Sequence, residues 1–277
     1  ARSGNSPESI EAVRLSNVYC KNVFHLVITC NKDGDLVRYF TGNNSYCFIL
    51  PENANDKSLA MTGSFTAMML AAILIVEREK LKELSAAFEN TLHNSRNILL
   101  SYAASIRDIA RNAYERVVFL GSGPLLGISR ECHLKLQELT DGKVICKFDS
   151  FLGFRHGPRA VINDQALVVY LFSENDNVFM YEKDLALSIA RESPNVPVIC
   201  FGRNIPGINN SILSIELHHK PGQVNSFYNL LAVLVGQLFG FYKSLNLALQ
   251  PDNPSKSGAI SRVVRGVTIY PSPSVFK

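Results

Sequence analysis

Residues 116–139 read RVVFLGSGPLLGISRECHLKLQEL. The β-branched and aromatic run at 116–120 is typical of a buried strand. Gly121-Ser122-Gly123-Pro124 then predicts a tight turn, and Pro124 suits the first turn of a helix over 125–139. This stretch therefore predicts one strand followed directly by one helix, the basic unit of an α/β fold.

The same alternation extends along the rest of the chain. Buried strands that alternate with helices predict an α/β fold with two doubly wound, flavodoxin-like parallel-sheet domains. Residues 1–9 read like the turn and cap that follow a strand, so we expect the first domain to be truncated at its N-terminus. The predicted segments are part of a first domain at 1–80, a connecting helical segment at 81–113, a second domain at 114–245 and a tail at 246–277 that packs over the site.

Within this division the apolar patterns predict individual elements. Strands are predicted at 23–30, 45–50, 144–148, 166–172, 196–201 and 211–216. Helices are predicted at 8–19, 64–78, 181–191 and about 223–243.

The composition narrows the class of protein. Of the 277 residues, 47% are hydrophobic and 19% are charged, and the net charge is +4. These values indicate a globular chain without the basic patch of a nucleic-acid-binding protein, and a small anionic ligand suits them better. The apolar runs at 68–76 and 230–241 are shorter than the roughly 20 residues of a membrane span. Six scattered cysteines favour free thiols in the cytoplasm.

Ser3-Gly4-Asn5-Ser6 precedes the first predicted helix. Backbone N–H groups, the helix dipole and two hydroxyls converge there and could cradle a phosphate group. A simple helix cap explains the same residues equally well. The Lys of a nucleotide-binding P-loop is absent, so the segment does not predict a nucleotide.

Glu131, Lys135 and Glu138 share one face of the helix over 125–139, because their spacing is i, i+4, i+7. A solvated ion-pair face is the more common meaning of this pattern. However, proton transfer between adjacent carbons needs a carboxylate base with a cation nearby, and this face supplies both.

His156 lies in a loop bounded by Gly and Pro between two predicted strands. Imidazole titrates near neutral pH, so His156 could pass a proton to a sugar ring oxygen, although a lone loop histidine is more often incidental. The histidines show no metal-binding spacing, and we expect neither a metal nor a cofactor.

Four segments together resemble the sugar isomerase (SIS) family, in its branch of galactosamine-6-phosphate deaminases, also called tagatose-6-phosphate ketose/aldose isomerases. They are ARSGNSPES at 1–9, LKLQELT at 134–140, DSFLGFRHGP at 149–158 and SRVVRGV at 261–267. The isomerase domain of glucosamine-6-phosphate synthase is similar in the same places.

This resemblance implies roles. Ser3, Gly4, Asn5 and Ser6 would hold the sugar phosphate. Glu138 would shuttle a proton, Lys135 would stabilise the enediolate, and His156 would open the ring. Weaker substrate contacts are expected from Thr62, Ser122 and Arg265.

The resemblance also implies partners and leaves alternatives open. It implies a homo-oligomer, a dimer or larger, that shares its active sites between subunits.

Ala1 and Met61 stand where the synthase has serines, so the predicted site departs from that enzyme. A non-catalytic SIS protein that senses sugar phosphate is the second hypothesis, and a dinucleotide-dependent oxidoreductase ranks last. The galacto or gluco configuration of the substrate stays open.

Overall fold

The computed structural model describes residues 1–39, 44–218, 226–262 and 266–270. Contacts between residues divide the chain into two units. Unit 1 comprises 1–76 and 257–277, and unit 2 comprises 77–256. The segment boundaries predicted above stay predictions.

Unit 1 is built on two parallel strands. β1 (His25–Thr29) pairs with β2 (Ser45–Ile49), with His25 opposite Ser45. Its helices are α1 (Pro7–Tyr19), α2 (Asp35–Tyr39) and α3 (Gly63–Val76). A small core of Cys30, Leu50 and Ala71 joins the strand ends to α3.

Unit 2 contains a five-stranded parallel sheet in the order β4-β3-β5-β6-β7. Its strands are β3 (Arg116–Gly121), β4 (Ile145–Asp149), β5 (Ala166–Leu171), β6 (Val198–Gly202) and β7 (Ser211–Glu216). Its helices are α4 (Leu81–Asn97), α5 (Ala103–Ala110), α6 (Pro124–Leu139), α7 (Phe151–Phe154), α8 (Asp176–Glu192) and α9 (Tyr228–Asn246). One π-helical turn, Ile98–Tyr102, joins α4 to α5.

Helices cover both faces of this sheet. α7 and α8 pack on one face, where Val118 and Leu120 of β3 meet Phe151, Phe154 and Leu185. α6 packs against α9, and a Cβ atom added at Gly236 of α9 would lie 2.5 Å from Cys132 of α6. The crossover from β3 to β4 and the return from β4 to β5 run in opposite directions across the sheet. Crossovers between parallel strands are right-handed as a rule, which places α6 and α7 on opposite faces. The contacts agree, since α6 packs against α9 and α7 packs against α8.

These observations confirm a mixed α/β fold with parallel sheets, and they adjust several predicted elements. α8 begins at Asp176 rather than at about 181, because the Asn175 side chain caps it by accepting bonds from Asn177 N and Val178 N. The short helices α2 and α7 were not predicted. The first residues predicted for the last helix, 223–225, lie outside the described residues, and α9 starts at Tyr228. In the part of the chain that the structure describes, no helix has the length and apolar character needed to cross a bilayer.

Candidate active site

The predicted phosphate loop, Ser3–Ser6, lies beside the carboxyl end of β1 in unit 1. Asn31 Nδ2 donates to Ser3 O at 2.8 Å, and the amides of Leu36 and Asp35 donate to Gly4 O at 2.9 Å and to Asn5 Oδ1 at 2.8 Å. Gly4 has φ +67°, in the left-handed region that glycine adopts readily. The loop is thus fixed by its carbonyl groups, while its hydroxyls remain at the surface.

Ser6 occupies the N-cap position of α1 but does not cap it with its side chain. Its hydroxyl donates to Glu8 Oε2 at 2.7 Å, and this hydrogen bond lowers the pKa of Glu8. A phosphate group at the N-terminus of α1 would compete with Glu8 for the Ser6 hydroxyl. The structure therefore places Ser3 and Ser6 on one loop, with the Ser6 hydroxyl bonded to the carboxylate of Glu8.

Thr62 precedes α3 and is held by Asp56. Its amide and its hydroxyl both donate to the Asp56 carboxylate at 3.0 Å, and Gly63 N and Ser64 N donate to the same group. Burial raises the pKa of Asp56, but the hydrogen bonds from Ser64 and Thr62 outweigh it and hold the pKa below its ordinary value. Asp56 was missed from the sequence because it caps α3 from outside the usual capping position.

Two arginines connect the C-terminal segment to this region of unit 1. Arg2 is buried and donates to Ser58 O at 2.9 Å and to Arg262 O at 3.0 Å. Arg262 in turn donates to Asn55 Oδ1 at 2.9 Å and to Asp56 O. Neither arginine was singled out in the sequence. Arg265, a predicted substrate contact, lies outside the described residues.

In unit 2 the last two turns of α6 carry a buried ionic cluster. Lys135 is 2% exposed, and its Nζ lies 2.6 Å from Glu138 Oε2 and 3.5 Å from Glu131 Oε1. The three side chains share one face of the helix, as their spacing predicts. Burial raises the pKa of Glu131 above its ordinary value, although Lys135 acts in the opposite direction. The Glu138 side chain is 24% exposed, so it is the carboxylate of this cluster most open to a substrate.

His156 follows α7, and its side chain is exposed. The neighbouring Arg155 and Arg159 are anchored to α8 by Asp184 at 2.8 Å and by Glu192 at 3.1 Å. Within the described residues, the imidazole itself makes no hydrogen bond. The loop is thus fixed on both sides of a histidine ring that is free to meet a ligand.

Glu138 and His156 do not meet within one chain. His156 belongs to the crossover on the α7 face of the sheet, whereas Glu138 belongs to α6 on the other face. A sheet separates helices on its two faces by roughly 20 Å, since each helix packs about 10 Å from it. Within one chain, therefore, the two side chains lie too far apart to contact the same small ligand.

Ser122 lies at the opposite end of α6 from Glu138. The fifteen residues from Pro124 to Glu138 span about 21 Å of helix, so Ser122 does not belong to the cluster around Lys135. It lines a cavity at the carboxyl edge of the sheet. Among the described residues, no group of three or more His, Cys, Asp or Glu side chains could hold a metal ion.

Comparison with known proteins gives close relatives, although no family model matches the chain. The chain is 37% identical over 273 residues to a Shewanella protein (strain ANA-3) named D-galactosamine-6-phosphate deaminase AgaS. It is 34% identical over 272 residues to the Escherichia coli protein of the same name. The two alignments each cover 98% of this chain, and 66% and 70% of the respective relatives.

The fold is also shared with a solved structure. A crystal structure from Clostridium novyi, provisionally named a tagatose-6-phosphate ketose/aldose isomerase, matches with a TM-score of 0.91 and 36% identity. The match covers 98% of this chain and 70% of that one. The chain thus spans about two thirds of the length of its relatives.

Proposed function

Because the chain belongs to the D-galactosamine-6-phosphate deaminase AgaS family of sugar isomerase proteins, we propose that it converts galactosamine 6-phosphate to tagatose 6-phosphate and ammonia. The observation that carries this proposal is the Lys135–Glu138 pair, a carboxylate held at 2.6 Å by a buried ammonium group and still partly open to solvent. The division into two SIS domains is part of the same proposal.

The chemistry starts at the phosphate end of the substrate. Ser3, Ser6 and the amides at the start of α1 hold the 6-phosphate, since the positive end of the helix dipole favours an anion. The phosphate replaces Glu8 as the partner of the Ser6 hydroxyl. Gly4 lets the backbone come close to the phosphate oxygens.

Glu138 acts as the base on the open-chain sugar. It removes the proton from carbon 2, which carries the amine, and the electron pair forms a double bond between carbons 1 and 2. Return of the proton to carbon 1, with transfer of one amine proton to the oxygen on carbon 1, gives a hydroxymethyl group at carbon 1 and an imine at carbon 2. Water adds to that imine, the amine leaves as ammonia, and the ketose phosphate remains. Each step conserves protons and electrons, so no redox cofactor is needed.

Lys135 holds the Glu138 carboxylate in position. Its ammonium group fixes Glu138 Oε2, which leaves Oε1 available for the transferred proton. The positive charge of Lys135 also favours the negative charge that develops in the transition state on the oxygen of carbon 1, in the amino counterpart of an enediolate. Because Lys135 is 2% exposed, this stabilisation acts across Glu138 and not by direct contact with the sugar.

His156 opens the pyranose ring by donating a proton to the ring oxygen. Since Glu138 and His156 lie on opposite faces of one sheet, His156 of one subunit serves the site of another, and the active protein is a dimer or larger. All six cysteines are free thiols, which supports a cytoplasmic protein.

The direct test is product formation. The chain is incubated with galactosamine 6-phosphate and, separately, with glucosamine 6-phosphate, and both ammonia and ketose 6-phosphate are measured. Turnover of the galacto substrate should fall about 10²- to 10⁴-fold in Glu138→Gln, because a positioned base contributes that much. Glu83→Gln, a change of the same kind at an exposed position of α4, is the matched control. Phosphate-dependent binding without any turnover would instead favour a sugar-phosphate sensor.

A further inference from the structure

Arg2 lies directly before the phosphate loop, Ser3–Ser6, and its main chain is fixed to the end of β1. The Arg2 carbonyl accepts hydrogen bonds from Thr29 Oγ1 and from Cys30 N, both at 3.2 Å. Thr29 is fully buried, so this contact holds Arg2 against the interior of unit 1. The placement of Arg2 therefore decides where the phosphate loop begins.

The side chain of Arg2 connects this point to two distant parts of unit 1. Arg2 is 7% exposed, and its Nη1 donates to Ser58 O at 2.9 Å and to Leu59 O at 3.3 Å, in the turn before α3. Its Nη2 donates to Arg262 O at 3.0 Å, in the C-terminal segment, residues 257–262. A guanidinium group presents its N–H donors in a rigid planar fork, so it fixes these carbonyl groups relative to one another.

The turn before α3 and the C-terminal segment also hold each other. Arg262 Nη2 donates to Asn55 Oδ1 at 2.9 Å and to Asp56 O. The Asp56 carboxylate in turn accepts from Thr62 N at 3.0 Å and from Ser64 N at 2.9 Å, at the start of α3. The segments thus form one closed hydrogen-bond network, in which the loss of one member weakens the others.

The direction of the Arg2 side chain separates it from the groups that would meet a phosphate. Both of its Nη atoms donate to main-chain carbonyls of the turn before α3 and of the C-terminal segment. Ser3 and Ser6 belong to the loop itself, and the Ser6 hydroxyl contacts Glu8 at the N-terminus of α1. Arg2 therefore supports the phosphate loop through the main chain, whereas Ser3 and Ser6 are the side chains placed to bind an anion.

We propose that Arg2 is a positioning residue, which sets the place of the phosphate loop by tying it to the turn before α3 and to the C-terminal segment. This inference rests on the proposed function. The substrate is anchored by the phosphate on carbon 6, whereas the proton is removed at carbon 2. A displacement of the loop is therefore carried to the reacting carbon, and a misplacement of about 1 Å can lower the rate about 10²-fold. The affinity for phosphate changes little, because Ser3, Ser6 and the amides of α1 are intact.

Two substitutions separate a positioning role of Arg2 from a direct contact with phosphate. Arg2→Gln removes the charge, and Arg2→Lys keeps the charge but lacks the planar fork. In both variants of the full chain, kcat for ammonia release from galactosamine 6-phosphate should fall about 10²-fold. Titration with inorganic phosphate at constant ionic strength should give a Kd within about threefold of wild type. Arg78→Lys, at a side chain that is 67% exposed, is the matched control and should change neither value.

Hydrogen exchange measures the network without any catalysis. The amides of Cys30, Thr62 and Ser64 lie at the two ends of the network and donate within it. They should exchange at least about tenfold faster in Arg2→Gln, because hydrogen bonds from a charged group are lost. The amides of β5 in unit 2 should exchange at the rate of wild type.

Arg262→Gln, at an exposed position, is the second variant and carries the test if the Arg2 variants fail to fold. It should lower kcat and speed exchange at Thr62 and Ser64, with the Kd for phosphate unchanged. Phosphate binding that is about tenfold weaker in Arg2→Gln and restored in Arg2→Lys would make Arg2 a phosphate ligand and overturn the proposal. Unchanged exchange, or faster exchange with an unchanged kcat, would also overturn it. If wild type itself releases no ammonia, the proposed function fails, and the exchange rates alone decide whether Arg2 holds this network.

Discussion

Replacing Lys135 by methionine tests the buried cluster of α6. Methionine keeps the length of the aliphatic stem but removes the ammonium group that lies 2.6 Å from Glu138 and 3.5 Å from Glu131. Removing one partner of a buried ion pair costs about 3–5 kcal/mol, because a charge is left buried without compensation. Glu138 is partly exposed and can be rehydrated, so we expect the lower end, about 3 kcal/mol of unfolding free energy. The unfolding free energies of wild type and variant are measured by urea denaturation followed by circular dichroism.

The loss of unfolding free energy in Lys135→Met should depend on pH. Burial already raises the pKa of Glu131, and the loss of Lys135 removes an influence that lowers it. A carboxyl whose folded pKa lies above its unfolded value stabilises the fold at low pH, and this contribution is lost as pH rises through the folded pKa. The variant should therefore be most destabilised near pH 8 and less so near pH 5.

Two further variants test whether the loss of stability comes from the unpaired carboxylates. Lys183→Met, at an exposed position of α8, should change stability by less than about 0.5 kcal/mol. Adding Glu131→Gln to Lys135→Met should recover much of the loss, because it removes the unpaired carboxylate. If Lys135→Met lowers the unfolding free energy by less than about 1 kcal/mol at pH 8, or by the same amount at pH 5 as at pH 8, the buried-charge explanation is wrong.

Two other predictions concern unit 1. Gly4→Ala should lower the unfolding free energy by about 1–2 kcal/mol, because Gly4 has φ +67° and the added Cβ would lie 3.4 Å from Thr29 Oγ1. Thermal denaturation should show a lower melting temperature for this variant. An unchanged melting temperature would mean that alanine fits this position without strain. Asp56→Ala should cost about 2 kcal/mol of unfolding free energy at neutral pH, because it uncaps α3. Since the pKa of Asp56 is lowered, its contribution is present above the unfolded pKa and is lost as pH falls through the folded one. The unfolding free energies of wild type and Asp56→Ala should therefore become equal in acid. A difference that persists at acid pH would mean that the ionised Asp56 carboxylate is not what stabilises α3.

Much of the fold is local enough to be predicted from sequence. The run 116–139 gave a strand, a turn and a helix whose observed limits, Arg116–Gly121 and Pro124–Leu139, differ from the prediction by one residue. Pro7 and Pro124 both stand in the first turn of their helices, as proline geometry predicts. The helices α2 and α7 have five and four residues, too few to show a helical period, so the pattern could not reveal them.

The candidate site shows the limit of spacing rules. Positions 131, 135 and 138 were predicted to share a helix face, and the two ion pairs of Lys135 confirm it. That Glu138 and His156 lie on opposite faces depends on the strand order, which no local pattern contains.

We propose that Glu138 and His156 act in one reaction although one chain holds them on opposite faces of a sheet. The measurement is subunit complementation with galactosamine 6-phosphate. Glu138→Gln and His156→Ala chains, each with a different affinity tag, are unfolded together, refolded as an equal mixture and assayed for ammonia release. Mixed oligomers are confirmed by capture on both tags in turn.

Each variant alone should be nearly inactive. In a randomly mixed dimer half of the molecules are hetero-oligomers, and one of their two sites has both native side chains, so activity should recover to about one quarter of wild type. Mixed oligomers that are no more active than either variant alone would contradict the claim.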